Sequence, residues 1–277
     1  MILQQEVERL YDLPVEGINH DEALQVIEKL KLSLNRGEIR AADKTSGTWK
    51  VNTWVKKGIL LAFRVGELVE FTESEIFQFF DKDTMGVRQF TGNHEVRIVP
   101  GGTVVRDGAY VAPGVVIMPP AYINIGAYVD ENSMIDSHAL IGSCAQIGKR
   151  VHCSAAAQIG GVLEPIGSMP VIIEDDVFIG GNVGIYEGTT VMERAVVGAG
   201  VILTRSTPVY DLVRQQIYKG SGETPLSIPE GAVVIPGGRQ LNNPFAREHA
   251  LSIYTPIIIK YRDEKTDVSV ILEESLR

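Results

Sequence analysis

Tyr122-Ile-Asn-Ile-Gly-Ala-Tyr-Val-Asp-Glu-Asn-Ser-Met-Ile-Asp-Ser-His-Ala-Leu-Ile-Gly-Ser-Cys-Ala-Gln-Ile147 repeats itself every six residues. Extended outward, the beat falls on Val105, Val111, Ile117, Ile123, Val129, Ile135, Ile141, Ile147, Cys153 and Ile159 without a miss. Four residues after each comes a second, mostly small set that begins Ala109, Val115, Ala121 and Ala127 and ends at Leu163. After a break at 165–172 the beat resumes at Ile173, Ile179, Ile185, Val191, Val197 and Leu203. In a chain that is 44% hydrophobic, sixteen such hits in succession arise by chance roughly once in several hundred thousand trials. A six-residue period is the mark of a parallel β-helix, in which short flat faces contribute inward aliphatics and each coil covers the edge of the last. Three faces make a coil of eighteen residues, so residues eighteen apart stand above one another at about 4.8 Å.

That stacking lets columns be read. Gly142 and Gly160 form one, and if the break inserts two residues it continues through Gly180 and Gly198; Asp136 and Ser154 form another, which on the same assumption reaches Glu174. The glycine column has two readings, turn geometry at each corner or a groove free of side chains in which a thin ligand lies along the axis. The Asp136 column carries more information, because two carboxylates and a hydroxyl along one edge are not required by the fold.

Around this coil the texture differs. Apolar residues at Leu24, Ile27, Leu30 and Leu34 mark one face of a helix that starts near Asp21 and stops at Gly37. Residues 39–100 mix short apolar runs with charge and hold both tryptophans, Trp49 and Trp54. After Thr207 the beat is lost, and strand-like runs return at 232–236 and 251–259. The expected organisation is an N-terminal mixed α/β domain over 1–100, a β-helix over 101–207 and a C-terminal β extension over 208–277.

A net charge of −9 argues against nucleic acid as a partner, since phosphate-backbone binding needs a basic patch. No apolar run approaches the length of a membrane span. Two cysteines, Cys144 and Cys153, and a start lacking a basic leader make the cytoplasm the expected compartment.

Several blocks resemble those of the tetrahydrodipicolinate N-succinyltransferases: Tyr122 to Glu131, Gly142-Ser-Cys-Ala-Gln-Ile-Gly-Lys149 with Val151-His152, and Ile159-Gly-Gly-Val-Leu-Glu-Pro165. Upstream, Trp54-Val-Lys-Lys57, Phe80-Asp-Lys82 and Val96-Arg-Ile-Val-Pro100 are similar to the family's N-terminal half. The resemblance implies a left-handed β-helix, an exception to the usual crossover hand, assembled as a homotrimer with active sites between subunits. It implies transfer of succinyl from succinyl-CoA to the amino group of 2-amino-6-oxopimelate, the open form of tetrahydrodipicolinate, in diaminopimelate and lysine biosynthesis. The family's acidic residue falls on Asp136, expected to hold or deprotonate the amine, and its substrate-binding arginine falls on Arg97, a fork suited to a carboxylate. Gly160, Gly180, Gly181 and Gly198 are the candidates for contact with the acyl-CoA. No metal is expected: His138 and His152 lack the paired spacing of a three-histidine zinc site, and the repeat offers no third ligand.

The chain departs from the family in two places. The family's Asp-Thr-Trp-Ala is Asp136-Ser-His-Ala139 here, which puts a titratable His138 two residues from the candidate carboxylate and makes it a second candidate catalytic group. Where many members carry Arg-Ser-Glu, this chain has Asn182-Val-Gly184, losing a charge of each sign while keeping Glu187-Gly188. Two alternatives follow: an acetyl-CoA-dependent enzyme acting on a related amino-dicarboxylate, including one of a tabtoxin-type pathway, and a non-catalytic β-helical scaffold.

Overall fold

A computed structural model describes residues 2–71, 78–222 and 224–263; residues 264–277 of the expected C-terminal extension lie outside them. Three helices open the chain: α1 (Leu3–Tyr11), α2 (His20–Asn35) and α3 (Thr53–Val65). The start of α2 is set by Asn19, whose side-chain oxygen accepts from Glu22 N at 2.9 Å. Its end is set by Gly37, at φ 68° just past the last turn. Between α2 and α3 a hairpin of β1 (Ala42–Thr45) and β2 (Thr48–Val51) folds out.

The six-residue beat becomes three parallel sheets that wrap one core. Face I carries Tyr110–Val111, Tyr128–Val129, Gln146–Ile147, Ile172–Ile173, Thr190–Val191 and Ser227–Ile228. Face II begins at Arg97–Ile98 and runs through Val116–Ile117, Met134–Ile135, His152–Cys153, Phe178–Ile179 and Val196–Val197. Face III runs from Val104–Val105 through Tyr122–Ile123, Leu140–Ile141, Gln158–Ile159 and Gly184–Ile185 to Ile202–Leu203. Every residue on the beat is buried, and so is the second set apart from its last members, Leu163 and Thr207. Leu163 has left the coil and packs against the helical domain instead.

The break differs from expectation. Gln158 pairs with Gly184, twenty-six residues on where one coil is eighteen, so eight extra residues leave as a loop, not two. Two and eight residues shift a six-residue beat by the same phase, so periodicity alone cannot tell a short insertion from one that adds a whole side. The columns therefore change partners. Asp136 and Ser154 continue into Gly180 and Gly198, Gly142 and Gly160 continue into Tyr186, and Glu174 stands above Gly148.

Face I is covered by the N-terminal domain. The Arg40 guanidinium lies 3.6 Å over the Tyr128 ring and donates through Nε to Gln146 at 2.9 Å. Glu174, itself buried, accepts from Lys44 Nζ at 2.7 Å, Trp49 Nε1 at 2.8 Å and the Glu193 amide at 3.1 Å. Burial alone would raise the Glu174 carboxyl, but these donors outweigh it and hold it below the ordinary glutamate range. At the other end the chain closes with Val209–Asp211, Gln216–Tyr218 and the long antiparallel pair Ala232–Gln240 and Ser252–Tyr261, which extend the sheet of face II. Asp211 ties that end together, accepting from Tyr261 Oη at 2.6 Å. Among the described residues no helix is long and apolar enough to cross a membrane.

Candidate active site

The corner between faces II and III gathers most of the residues picked from the sequence. The backbone ladder stacks Asp136, Ser154, Gly180 and Gly198, each amide bonding the strand of the next coil. One residue on, Ser137, Ala155, Gly181 and Ala199 stack through Ala156 N to Ser137 O, Asn182 N to Ala155 O and Gly200 N to Gly181 O. The third layer is His138, Ala156, Asn182 and Gly200, all left-handed at φ 56–75°. A sharp corner forces this geometry, and it turns His138 out to solvent, where its ring has no hydrogen-bond partner among the described residues. Above Asp136 and His138 the wall thus carries serine, alanine and glycine, with Asn182 the one longer side chain.

One Asp136 oxygen is pinned by the Ser137 amide at 2.6 Å. The side chain is only half buried, so the carboxylate keeps acceptor capacity toward solvent. Arg97 lies on the same sheet, exposed at the start of face II and opposite Val116, two coil rises, or roughly 10 Å, from the Met134 level. His152 is buried on this sheet with its ring stacked on Phe178 at 4.9 Å, a packing role.

Gly160 stands elsewhere, at the corner between faces III and I. There a cleft of about 500 Å³ is bounded by Gly160, Gly161, Glu164, Ser168, Tyr186, Glu187 and Arg205. Its floor is the Tyr186 ring, which occupies the room two glycines leave free. A Cβ on Gly160 would sit 2.9 Å from Tyr186 Cδ1, and one on Gly184 would sit 2.6 Å from Cε2 and 2.8 Å from Oη. The Glu187 carboxylate accepts from the Arg205 amide at 2.9 Å. The Arg205 guanidinium donates to Gly222 O at 3.1 Å, while its buried Nε has no partner among the described residues. The sequence singled out neither Glu187 nor Arg205 as a site residue. The signal was available, because they are eighteen residues apart and so stand one coil above the other.

Neither cysteine suits nucleophilic chemistry. Cys144 and Cys153 are fully buried, and burial pushes each thiol up to about 12, leaving no thiolate near neutral pH. The arrangement suits direct transfer instead: a carboxylate able to accept a proton from a nucleophile, at the foot of a wall of serine, alanine and glycine. Among the described residues no three His, Cys, Asp or Glu side chains converge as metal ligands.

The family model for the N-terminal part of tetrahydrodipicolinate N-succinyltransferases matches residues 2–65, and the model for the hexapeptide repeat of succinyl-transferase matches residues 170–205. The 2,3,4,5-tetrahydropyridine-2,6-dicarboxylate N-succinyltransferase of Coxiella burnetii (strain Dugway 5J108-111) is 45% identical over 255 residues, covering 91% of this chain and 89% of its own. The enzyme of the same name from Legionella pneumophila (strain Corby) is 38% identical, covering 100% of this chain and 96% of its own. A crystal structure from Campylobacter jejuni, described as a 2,3,4,5-tetrahydropyridine-2-carboxylate N-succinyltransferase, superposes with a TM-score of 0.51 at 18% identity, over 89% of this chain and 64% of that longer one. That likeness is one of fold: the three-sheet coil is the left-handed β-helix of hexapeptide-repeat acyltransferases.

Proposed function

The chain belongs to the tetrahydrodipicolinate N-succinyltransferase family, and from that premise we propose that it transfers succinyl from succinyl-CoA to the amino group of 2-amino-6-oxopimelate, in the cytoplasm, as a step toward diaminopimelate and lysine. The observation that carries this reading is the side-chain-poor corner that ends on Asp136. The amine lone pair attacks the thioester carbonyl, an N–C bond forms, and the proton leaves nitrogen for the Asp136 carboxylate. The tetrahedral intermediate then collapses, the C–S bond breaks, and CoA departs as its thiol once protonated, leaving the N-succinyl amide. Gly180, Gly181 and Gly198 give the pantetheine arm a channel without side chains. Arg97 offers its guanidinium fork to an acceptor carboxylate, and His138 faces the same solvent-open corner as a second titratable group.

We further propose that the active unit is a homotrimer with shared sites. Val116, Met134, Phe178 and Val196 stand half-exposed on the outward side of face II, a stripe that a second copy would cover. Such packing would bring the Glu187 cleft of one subunit toward the Asp136 corner of another. Light scattering should return three chains per particle; a monomer would remove the shared site.

One observation favours a second donor. The Tyr186 ring fills the space beside Gly184, where the family resemblance leads us to expect charged residues; no charge stands at Asn182-Val-Gly184 to pair with a succinyl carboxylate, and acetyl-CoA has no such carboxylate. Release of free CoA in the presence of tetrahydrodipicolinate, measured with succinyl-CoA and with acetyl-CoA, separates the readings. Turnover at least ten-fold faster with succinyl-CoA is expected. Faster turnover with acetyl-CoA would change the donor, and none with either would leave a scaffold.

A further inference from the structure

Lys56, on α3 of the helical domain, is wholly buried, yet no carboxylate pairs with it among the described residues. Its Nζ donates to one carbonyl, Ser168 O, at 2.6 Å. The other charged or ionisable group acting on it is Cys144, a buried thiol that stays neutral, and burial lowers the lysine's own proton affinity. A methionine or leucine would fill the same space without desolvating an ammonium. What the amine adds is its hold on Ser168.

Ser168 belongs to the eight-residue excursion and forms part of the cleft wall. Within itself the excursion is sparsely bonded: Ser168 N reaches Pro165 O at 3.0 Å, and Val162 N reaches back to Ser143 O at 3.2 Å. Leu163, from the same loop, packs into the helical core. The next residue after Ser168 carries the constraint onward. Met169 O lies against Gly188, where a Cβ would come within 2.5 Å of it, and Gly188 holds φ 73° immediately after Glu187. The helical domain therefore reaches the cleft carboxylate through Lys56, Ser168, Met169 and Gly188, each in contact with the next or bonded to it.

We propose that Lys56 is a positioning residue, which from the neighbouring domain fixes the Ser168–Met169 wall of the cleft and through it the placement of Glu187. The proposal rests on the shared-site reading above, in which this cleft of one subunit meets the Asp136 corner of another, where the acceptor amine is held. Lys56→Met and Lys56→Gln are compared with the full-length wild type by amide hydrogen exchange and by initial rates. In Lys56→Met, exchange across residues 162–171 should accelerate at least ten-fold while that of α1 and α2 is unchanged. KM for the acceptor should rise about ten-fold with KM for acyl-CoA held within two-fold, and Lys56→Gln, which retains an N–H donor, should recover part of both. Unchanged loop exchange, or a uniform fall in rate that matches the loss of folded protein, overturns the proposal. Should neither variant fold, Gly188→Ala pushes on Met169 from the other side and leaves the helical domain intact; normal loop exchange and a normal acceptor KM there would equally overturn it. A wild type that releases no CoA from any donor refutes the acyl-transfer reading instead, and the exchange measurements still decide whether Lys56 holds the loop.

Discussion

Gly181→Ala tests the acyl-CoA channel more cleanly than any other glycine substitution. At Gly180 an added Cβ would sit 2.5 Å from Ala199 N, and at Gly198 it would sit 3.0 Å from Val234 O, so those glycines are needed for coil to lie on coil. Gly160 makes room for Tyr186. Gly181 alone of the four meets only one atom, Ala155 O at 3.3 Å, and its backbone is not left-handed. Alanine there should lower unfolded-state entropy by about 0.4–1 kcal/mol, set against a contact that needs a few tenths of an ångström of give, so the fold should be nearly unaffected. Apart from that one contact the methyl would stand in open space. If pantetheine lies along that wall, one intruding methyl costs it about 1–3 kcal/mol, roughly five-fold to a hundred-fold in KM. The assay is CoA release at saturating acceptor with succinyl-CoA varied, alongside a thermal melt. An unchanged KM with an unchanged melting temperature would refute the channel, and a collapsed melting temperature would show that Gly181 is structural like its neighbours.

Asp136→Asn keeps shape but removes the proton acceptor and should lower kcat about a hundred-fold or more, whereas His138→Phe should keep most activity and the acid limb of the rate profile; the reverse ranking, with both still assembled, would move the proton transfer to His138. Arg97→Ala should raise the acceptor's KM more than that of acyl-CoA, and equal effects would make it an ordinary surface cation. Glu174→Gln should loosen the β1–β2 hairpin by about 1–3 kcal/mol, seen as altered Trp49 emission in a Trp54→Phe background. Because the folded-state pKa of Glu174 is depressed, its contribution is fully present above its ordinary value and lost as pH falls through the lowered one. Acidification should therefore reproduce the emission change in the parent and leave Glu174→Gln largely unmoved. Gly184→Ala must displace the Tyr186 ring and should cost about 1–3 kcal/mol in a melt, a loss that Tyr186→Ala in the same chain should relieve only in part, because Ile202 Cδ1 would still lie 2.9 Å from the new Cβ.

The coil was legible because a repeating inward position leaves its mark in composition: the register of Val105 through Leu203 is the register of the buried core. What the period could not carry was the face to which the chain returned after the break, since one side of the coil is itself six residues. Asp136 and Arg97 were singled out by the blocks that hold them, and the structure sets Arg97 on the sheet whose strand at Met134 leads into Asp136. The eighteen-residue spacing of Glu187 and Arg205 was there to be read, but the cleft around them was not, because its other wall is a loop with no period. Lys56 was hidden for a related reason: on an amphipathic helix a lysine reads as solvated, and only the tertiary structure shows the carbonyl it reaches.

The same geometry bears on whether the departures mark decay. A site under no constraint accumulates changes singly, and a missing side chain leaves room that nothing fills. Here the small residue at Gly184 and the large one at Tyr186 fit each other, the ring lying where a Cβ would have been, with Gly160 one coil away accommodating the same ring. The two positions are therefore coupled sterically: a larger residue at 184 would have to displace the Tyr186 ring. The Asp136 carboxylate stays anchored by Ser137 N at one corner, and the Glu187 carboxylate stays anchored by Arg205 N at the other. The first is a bond that the coil's corners make elsewhere, where Asn124 accepts from Ile125 N at 2.9 Å and Asp130 from Glu131 N at 2.8 Å; the second reaches from one coil to the next. Both carboxylates are held in place and the chain belongs to a family of acyltransferases, so the departures at His138 and Gly184 are read as bearing on which acyl group or acceptor it prefers.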